Sequence, residues 1–281
     1  MLGALIIVFR EVIEAGIIVG VVLAATRGVR GSRLMASLGV IGGVMGACLV
    51  AAFAGAIANA MRGVGQEVMN ASILSLAVCM LAWHNIWMAS HGRELAADAR
   101  KLGAAVRAGS RTVVALGVVV GVAVMREGSE IALFLYGLVA STAANGWDLI
   151  VGSILGLAAG VGVTAVTYFG LIAIPQRRLF AVTSTLITLL AAGLAAQAVV
   201  FLQQAGLITT LEKTAWDTSD YLSDASILGR VLHTLVGYSD QPSVLQVVVY
   251  CVTVAAIVIL SKLVQSARPA NATPMRSGAG V

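Results

Sequence analysis

Residues 2–25, LGALIIVFREVIEAGIIVGVVLAA, decide the fold. Apart from Arg10, Glu11 and Glu14 the stretch holds only aliphatic, aromatic, Ala and Gly residues. A helix needs about 20 such residues to cross the hydrocarbon core of a bilayer. An ionised side chain at the centre of such a helix costs about 3 kcal/mol on insertion scales. The pattern Arg-Glu-x-x-Glu nevertheless returns at Arg126-Glu127-Gly128-Ser129-Glu130, again inside an apolar run. Structure alone rarely justifies a penalty repeated six times, so the two motifs are where function is sought. No Lys or Arg precedes the first run, and its charges interrupt what would be a signal-peptide core. It therefore reads as a retained transmembrane helix.

Working outward, 59% of the chain is hydrophobic and only 11% charged, against about 25% charged in an ordinary soluble domain. The Ala/Val/Leu/Gly runs lack the alternation of strands. The expected fold is an all-α polytopic membrane protein with seven transmembrane helices, near 2–25, 34–60, 69–90, 112–140, 148–174, 179–206 and 243–264. Basic residues fill alternate loops: Arg27, Arg30 and Arg33; then Arg93, Arg100, Lys101, Arg107 and Arg111; then Arg177 and Arg178. Lys262, Arg268 and Arg276 follow the last span. By the positive-inside rule the N-terminus is outside and the C-terminus cytoplasmic, in the cell (inner) membrane. The net charge of +5 is thus a topology signal, and a nucleic-acid partner is excluded. Cys48, Cys79 and Cys251 form no Cys-x-x-Cys pair and read as small buried apolar residues.

The expected organisation is one transmembrane domain over 1–265: repeat one at about 1–90, repeat two at about 112–206, an external loop at about 207–242 and a seventh helix at about 243–264. A disordered cytoplasmic tail over 266–281 follows, rich in Pro, Ser, Gly and Ala. The repeat rests on register. The motifs are 116 residues apart, from Arg10 to Arg126; Gly39, Ile41 and Gly43 align with Gly152, Ile154 and Gly156; Leu81-Ala82 aligns with Leu194-Ala195, which sets His84 opposite Gln197. Three spans per copy make this an inverted 3+3 repeat with one C-terminal helix appended, an arrangement that frames a midplane site. Glycines at three- and four-residue spacing, such as Gly39, Gly42, Gly43 and Gly46, suit close helix packing.

Residues three apart share a helix face, so Glu11 with Glu14, and Glu127 with Glu130, each present paired carboxylates beside an arginine. If the first and fourth helices are neighbours, four carboxylates meet two guanidinium groups where the dielectric is low. A multivalent cation relieves their repulsion, and oxygen-only ligands without thiolates suit a hard ion: Fe3+, with Fe2+ and Mn2+ also fitting. Arg10 and Arg126, always charged and able to hold carboxylates through two bonds, read as orienting groups. The plainer alternative is that the motifs pair helices by ionic contacts alone, although buried ion pairs are weak devices for stability.

Paired Arg-Glu-x-x-Glu in the first and fourth of seven spans resembles the oxidase-dependent iron transporter family, the fungal and bacterial iron permeases. Leu81-Ala82-Trp83 with Trp87-Met88 is similar to that family's third helix, and Ala191-Ala192-Gly193-Leu194-Ala195-Ala196 to its sixth. Ala215-Trp216-Asp217-Thr218-Ser219, Gly237-Tyr238 and Pro242-Ser243 resemble its last external loop. The resemblance implies iron moved into the cytoplasm as transported substrate, with Glu11, Glu14, Glu127 and Glu130 handling it and no permanently bound cofactor. It also implies an extracytoplasmic redox partner: a multicopper ferroxidase, or cupredoxin-like and haem-peroxidase proteins. Some members are associated with lead, so Pb2+ stands beside Mn2+ as an alternative cargo.

His84, one turn from Met80 and Met88, reads as a hydrogen-bonded packing histidine, with an accessory metal contact as the alternative. His91 falls at an expected helix end facing water. In the external loop Asp217 and Asp220 are the candidates for collecting cations, and Asp224 and Gly237 the expected start and stop of a short amphipathic helix. A membrane-embedded metal-dependent enzyme would need a Glu-x-x-His pair or a nucleophile with its base; neither occurs in the spans, so no catalytic residue is assigned.

Overall fold

The computed structural model describes residues 1–60, 65–141, 146–169, 176–224 and 226–266. Of the expected tail over 266–281, Ser266 ends the last helix, and the rest, with Arg268 and Arg276, lies outside them. Within the described residues the structure is all-helical, with an isolated bridge between Thr214 and Ser243 in place of any strand. The helices are α1 (Leu2–Ala25), α2 (Ser32–Ala60), α3 (Gln66–Arg107), α4 (Val114–Ser141), α5 (Gly146–Tyr168), α6 (Gln176–Gln204), α7 (Ile227–Val236) and α8 (Val244–Ser266).

Five of these are long and apolar enough to cross a bilayer: α2, α5 and α8, α3 through Gln66–Met88, and α6 through Phe180–Gln204. Helices α1 and α4 match them in length but carry the two charged motifs. Outward faces are apolar, as with Met45, Leu49 and Phe53 on α2, Ile154 and Val161 on α5, and Val252 and Ile259 on α8. Apolar surface of this extent is stable against hydrocarbon and not against water. The chain is a multi-pass membrane protein. Cys48, Cys79 and Cys251 sit on exposed positions rather than in the core, because hydrocarbon accepts a thiol as readily as protein does.

Helix α2 packs most extensively on α4, α5 on α1, and α3 on α6, while α1 also touches α4 and α3. Glycine sets the approach. A Cβ on Gly39 would strike the Gly117 carbonyl oxygen, and one on Gly43 would lie 2.6 Å from that of Gly121. In the other pair, a Cβ on Gly152 would strike the Met1 carbonyl oxygen, and one on Gly156 would lie 2.5 Å from that of Leu5. Met1 and Leu5 stand 116 positions before Gly117 and Gly121, so the two pairings use matching carbonyls. Gly42 meets nothing within 4 Å, so the glycine run of α2 forms one packing stripe that excludes it.

Two apolar clusters bracket the middle of α1. One joins Ile7 to Leu74, Leu81, Phe134, Ile187 and Leu194; the other joins Val22 to Ala36, Ala99, Val106, Leu116 and Val120. The second explains a departure from the expected loop after residue 90. Helix α3 continues to Arg107, giving it a length of about 63 Å at 1.5 Å per residue. Its extension is held where Ala99 and Val106 are buried, Gly103 abuts Ala25, and Arg107 Nη2 donates to the Arg27 carbonyl at 3.0 Å. Arg93, Arg100, Lys101 and Arg107 therefore ride on a helix. Arg177 and Arg178 likewise occupy the first turn of α6, and Lys262 belongs to α8.

The segment after α6 folds back on the bundle. Gly237 ends α7 in the left-handed conformation (φ 72°), as its sequence position suggests, and there meets Gly193 of α6 backbone to backbone. Gly193 is ten residues before Gln203, about 15 Å down the helix axis. The cap at the start of α7 is Ser226, whose Oγ accepts from Gly229 N at 2.9 Å. Asp224 instead donates its backbone N–H to Asp240 Oδ2 at 3.1 Å, which removes it from the capping position.

Candidate metal centre

Three helices converge on one buried polar cluster. Helix α1 supplies Arg10, Glu11 and Glu14, α4 supplies Arg126, Glu127 and Glu130, and α3 supplies His84. Each motif places its ionisable groups on one face by helical periodicity, and α1, α3 and α4 turn those faces inward. Arg10 Nε lies 2.9 Å from Glu14 Oε1, and Arg126 Nε 3.1 Å from Glu130 Oε1 and 3.9 Å from Glu127 Oε1. Both arginines thus sit against the last glutamate of their own motif.

His84 stands between the motifs. Its Nε2 lies 3.6 Å from Glu11 Oε2 and 3.3 Å from Glu14 Oε2, while its Nδ1 contacts Glu130 Oε2. A neutral imidazole donates from one nitrogen only. Carboxylates at both nitrogens therefore require an imidazolium, a protonated carboxyl group or a bound cation. The ring meets Phe134 edge-on at 6.3 Å between centroids. Next along α3, Asn85 ties that helix to α6: its Nδ2 donates to Thr188 Oγ1 at 2.9 Å, and Ser184 Oγ donates to its Oδ1 at 2.5 Å.

Glu11, His84, Glu127 and Glu130 each offer one ligand atom within 4.8 Å of the others. Three carboxylate oxygens and an imidazole nitrogen suit Fe2+, Mn2+ or Zn2+, and no thiolate is present to attract a softer ion. Glu14 stays outside this group of four but reaches His84. The ion-pair distances coexist with poor hydrogen-bond alignment: both oxygens of Glu11 and of Glu14, Glu127 Oε2, Glu130 Oε2 and both His84 nitrogens are buried without a properly oriented partner. Buried polar atoms in that state are costly, and a cation shared by four donors would satisfy up to four of these eight at once.

The structure sets His84 against carboxylates of both motifs, a placement that Met80 and Met88 one turn away do not suggest. Sequence reading missed the neighbourhood of Arg126 altogether. The Arg126 guanidinium lies 4.2 Å from the centre of the Trp87 ring, and Trp87 stacks on His91 at 4.7 Å. His91 is thus a half-buried stacking partner within α3 and not a helix end facing water. Trp87 stands three residues after His84, a spacing that shares a helix face and was the available signal.

Asp217 and Asp220 are not brought to this cluster. Asp217 Oδ1 accepts from Ser219 N at 3.0 Å and Ser219 Oγ at 2.6 Å, and Oδ2 from Gln241 Nε2 at 2.9 Å. The Ser219 hydroxyl first, and these other donors after it, hold its carboxyl below the usual carboxylate range. Burial, and then the charge of Asp240, push Asp224 the other way.

Comparison with known proteins bears on the whole chain. The model of the Iron permease FTR1 family matches residues 1–268. The ferrous iron permease EfeU of Yersinia pestis is 31% identical over 260 residues, covering 91% of each chain. The protein of that name from Shigella sonnei (strain Ss046) is 31% identical over 279 residues, covering 97% of this chain and 98% of the relative. No solved structure matches. A family model that runs through every membrane helix and both charged motifs leaves one assignment: the chain belongs to the FTR1 family of iron permeases.

Proposed function

We propose that this chain, an iron permease by family, carries Fe2+ inward across the cytoplasmic membrane through the cluster of Glu11, His84, Glu127 and Glu130. One observation carries the reading: two Arg-Glu-x-x-Glu motifs on separate helices meet around one imidazole, with four ligand atoms within 4.8 Å. Glu14 hands the ion on or holds His84, while Arg10 and Arg126 fix the last glutamate of each motif. The imidazole among oxygen donors favours Fe2+ over Fe3+, since imidazole suits borderline ions, and the relatives bear the name ferrous iron permease. Metal at His84 must displace protons held between imidazole and carboxylates, so loading releases protons.

Seven spans in an inverted repeat supply the frame. Matching glycine-to-carbonyl contacts in the α2–α4 and α5–α1 pairs support it. So does the midway position of both motifs along helices of spanning length. The basic residues after α1, along the end of α3 and at the start of α6 favour an external N-terminus. An extracytoplasmic redox protein, either a multicopper ferroxidase or a cupredoxin-like and haem-peroxidase pair, sets the oxidation state on delivery. Asp217 and Asp220, in the loop on that side, collect the ion.

The test is uptake of radiolabelled iron into proteoliposomes, with Fe2+ kept reduced, Fe3+ in a weak chelate, Mn2+ and Pb2+ as separate arms. Glu130→Gln and Glu14→Gln, in protein shown to be folded, are expected to lower Fe2+ uptake about 100-fold or more, a transport-step effect of about 2.7 kcal/mol. Unchanged uptake in both variants would place the path elsewhere. Preference for Fe3+ would reverse the oxidation state assigned.

A further inference from the structure

A crevice of about 820 Å³ lies between α2 and α5, floored by α1 and α4. Its walls are almost wholly apolar, with Val44 and Cys48 on α2 and Leu157 and Val161 on α5. Glu11 and Glu127 reach its floor midway along α1 and α4, and they offer ligand atoms to the metal centre. From Glu11 to Leu23, which lies at the same end as Tyr168, the crevice follows α1 for twelve residues, about 18 Å at 1.5 Å per residue. One leaflet of a bilayer contributes about 15 Å of hydrocarbon. This half of the crevice therefore has the length of a lipid acyl chain.

Positive charge is gathered at that end. The Arg27 guanidinium lies 5.2 Å from the centre of the Tyr168 ring, which lines the crevice. Arg107, whose Nη2 donates to the Arg27 carbonyl, brings a second guanidinium to the same corner. Arg30 and Arg33 are exposed where the α1–α2 turn enters α2, and the N-terminus of that helix adds its own partial positive charge. The turn is held in place: Thr26 Oγ1 donates to the Val22 carbonyl at 2.7 Å, and Ser32 Oγ to the Val29 carbonyl at 2.9 Å. Among the described residues none of these four arginines has an ion-pair partner. The turn that corresponds to it in the second repeat, 141–147 (STAANGW), contains no basic residue, and Asp148 follows it.

We infer that this crevice binds an anionic phospholipid of the phosphatidylglycerol type, with its phosphate against Arg27 and Arg107 and one acyl chain between α2 and α5. The headgroup selects the occupant. A lipid tail and the crevice wall are equally apolar, so a chain moving from bilayer to crevice gains little. A phosphodiester accepts paired bonds from a guanidinium, and stacking on Tyr168 leaves the edge of Arg27 open to give them. An ethanolamine headgroup carries an ammonium group that the arginines repel. Because only one end of the crevice is basic, the seat belongs to the leaflet beside the α1–α2 turn. Nothing in it depends on the charge of Glu11 or Glu127, or on the direction in which iron moves.

The experiment is native mass spectrometry of the full chain, stripped of lipid in detergent and titrated with phosphatidylglycerol or phosphatidylethanolamine of the same acyl chains. One phosphatidylglycerol per chain is expected, bound tighter than phosphatidylethanolamine by about tenfold or more, the value of one charge-assisted hydrogen bond. Arg27→Gln should bring phosphatidylglycerol down to the phosphatidylethanolamine level, and Arg107→Gln should weaken it in the same direction. Lys262→Gln removes the same charge from α8, which packs on α6 and α3, and should leave binding unchanged. Val161→Trp and, separately, Cys48→Trp fill opposite walls and should each lower phosphatidylglycerol binding about tenfold. Circular dichroism and gel filtration would first show that each variant keeps the wild-type helicity and elution. Equal affinity for the two lipids overturns the inference. So does a loss at Lys262→Gln as large as that at Arg27→Gln, or phosphatidylglycerol binding that survives both tryptophans.

Discussion

The two copies of Arg-Glu-x-x-Glu share sequence and helical geometry yet occupy different surroundings. In the first, the Arg10 and Glu14 side chains are 3% and 1% exposed; in the second, Arg126 and Glu130 are 36% and 14% exposed. The first is sealed inside the bundle against His84, whereas the second opens beside Trp87, which covers the face of Arg126. Helix α3 reaches both motifs but unequally: His84 stands between them, whereas Trp87 lies against Arg126 of the second. At the corresponding positions α6 carries Gln197 and Val200. A duplicated motif is therefore not a duplicated site. One half clamps its glutamate in a dry environment, and the other presents its glutamate where an ion or proton can reach it.

The largest effect that tests this contrast is on stability. Arg10→Ala strands Glu14 as a buried charge and should cost about 3–5 kcal/mol, whereas Arg126→Ala, at a partly exposed pair, should cost about 1 kcal/mol. Unfolding midpoints in detergent, with denaturant slopes checked, would show it; equal losses would break the sealed-versus-open distinction. Next is His84→Gln, which gives α3 the residue that α6 carries. It should weaken Fe2+ binding about 10- to 100-fold in anaerobic calorimetry, and an unchanged affinity would remove His84 from the centre. Packing comes third. Gly39→Ala and Gly152→Ala each push a methyl against a carbonyl oxygen and should cost about 1–3 kcal/mol alike. Gly42→Ala, in open space, should be neutral or stabilising by up to about 1 kcal/mol. Unlike losses at Gly39 and Gly152 would show that the two helix pairs are not equivalent. Trp87→Leu follows, at about 0.5–1 kcal/mol for a partly exposed cation–ring contact, with greater exposure of Arg126 to chemical modification.

The smallest effect is in the loop. A carboxyl held below its usual range stabilises its surroundings at pH values above that range. The contribution is lost as pH falls through the lowered value, as Asp217 protonates and releases Ser219 and Gln241. Asp217→Asn should abolish that acid sensitivity in hydrogen exchange of the 207–242 segment without altering the metal centre.

Much of this was legible in the chain. Helical class, the extents of the first two helices, both motifs and their shared faces follow from apolar run length and three-residue spacing, which are local properties. Gly237 as the stop of α7 was equally local. The continuous α3 was not, because polar residues around Arg93 read as a loop until Ala99 and Val106 find Val22 and Leu116 from other helices. The exposed cysteines were misjudged because a core-forming residue in water is a lipid-facing one in a bilayer.

By itself the sequence determined that the chain crosses a membrane as helices and that two charged motifs lie within them, since hydrophobicity and helical period act over a few residues. Tertiary structure alone decided that His84 stands between the motifs, that Glu11 and Glu127 face an apolar crevice, and that Arg126 leans on Trp87. Those facts depend on which helices touch and at what rotation, and that is fixed by glycine-to-carbonyl contacts between residues far apart in the chain.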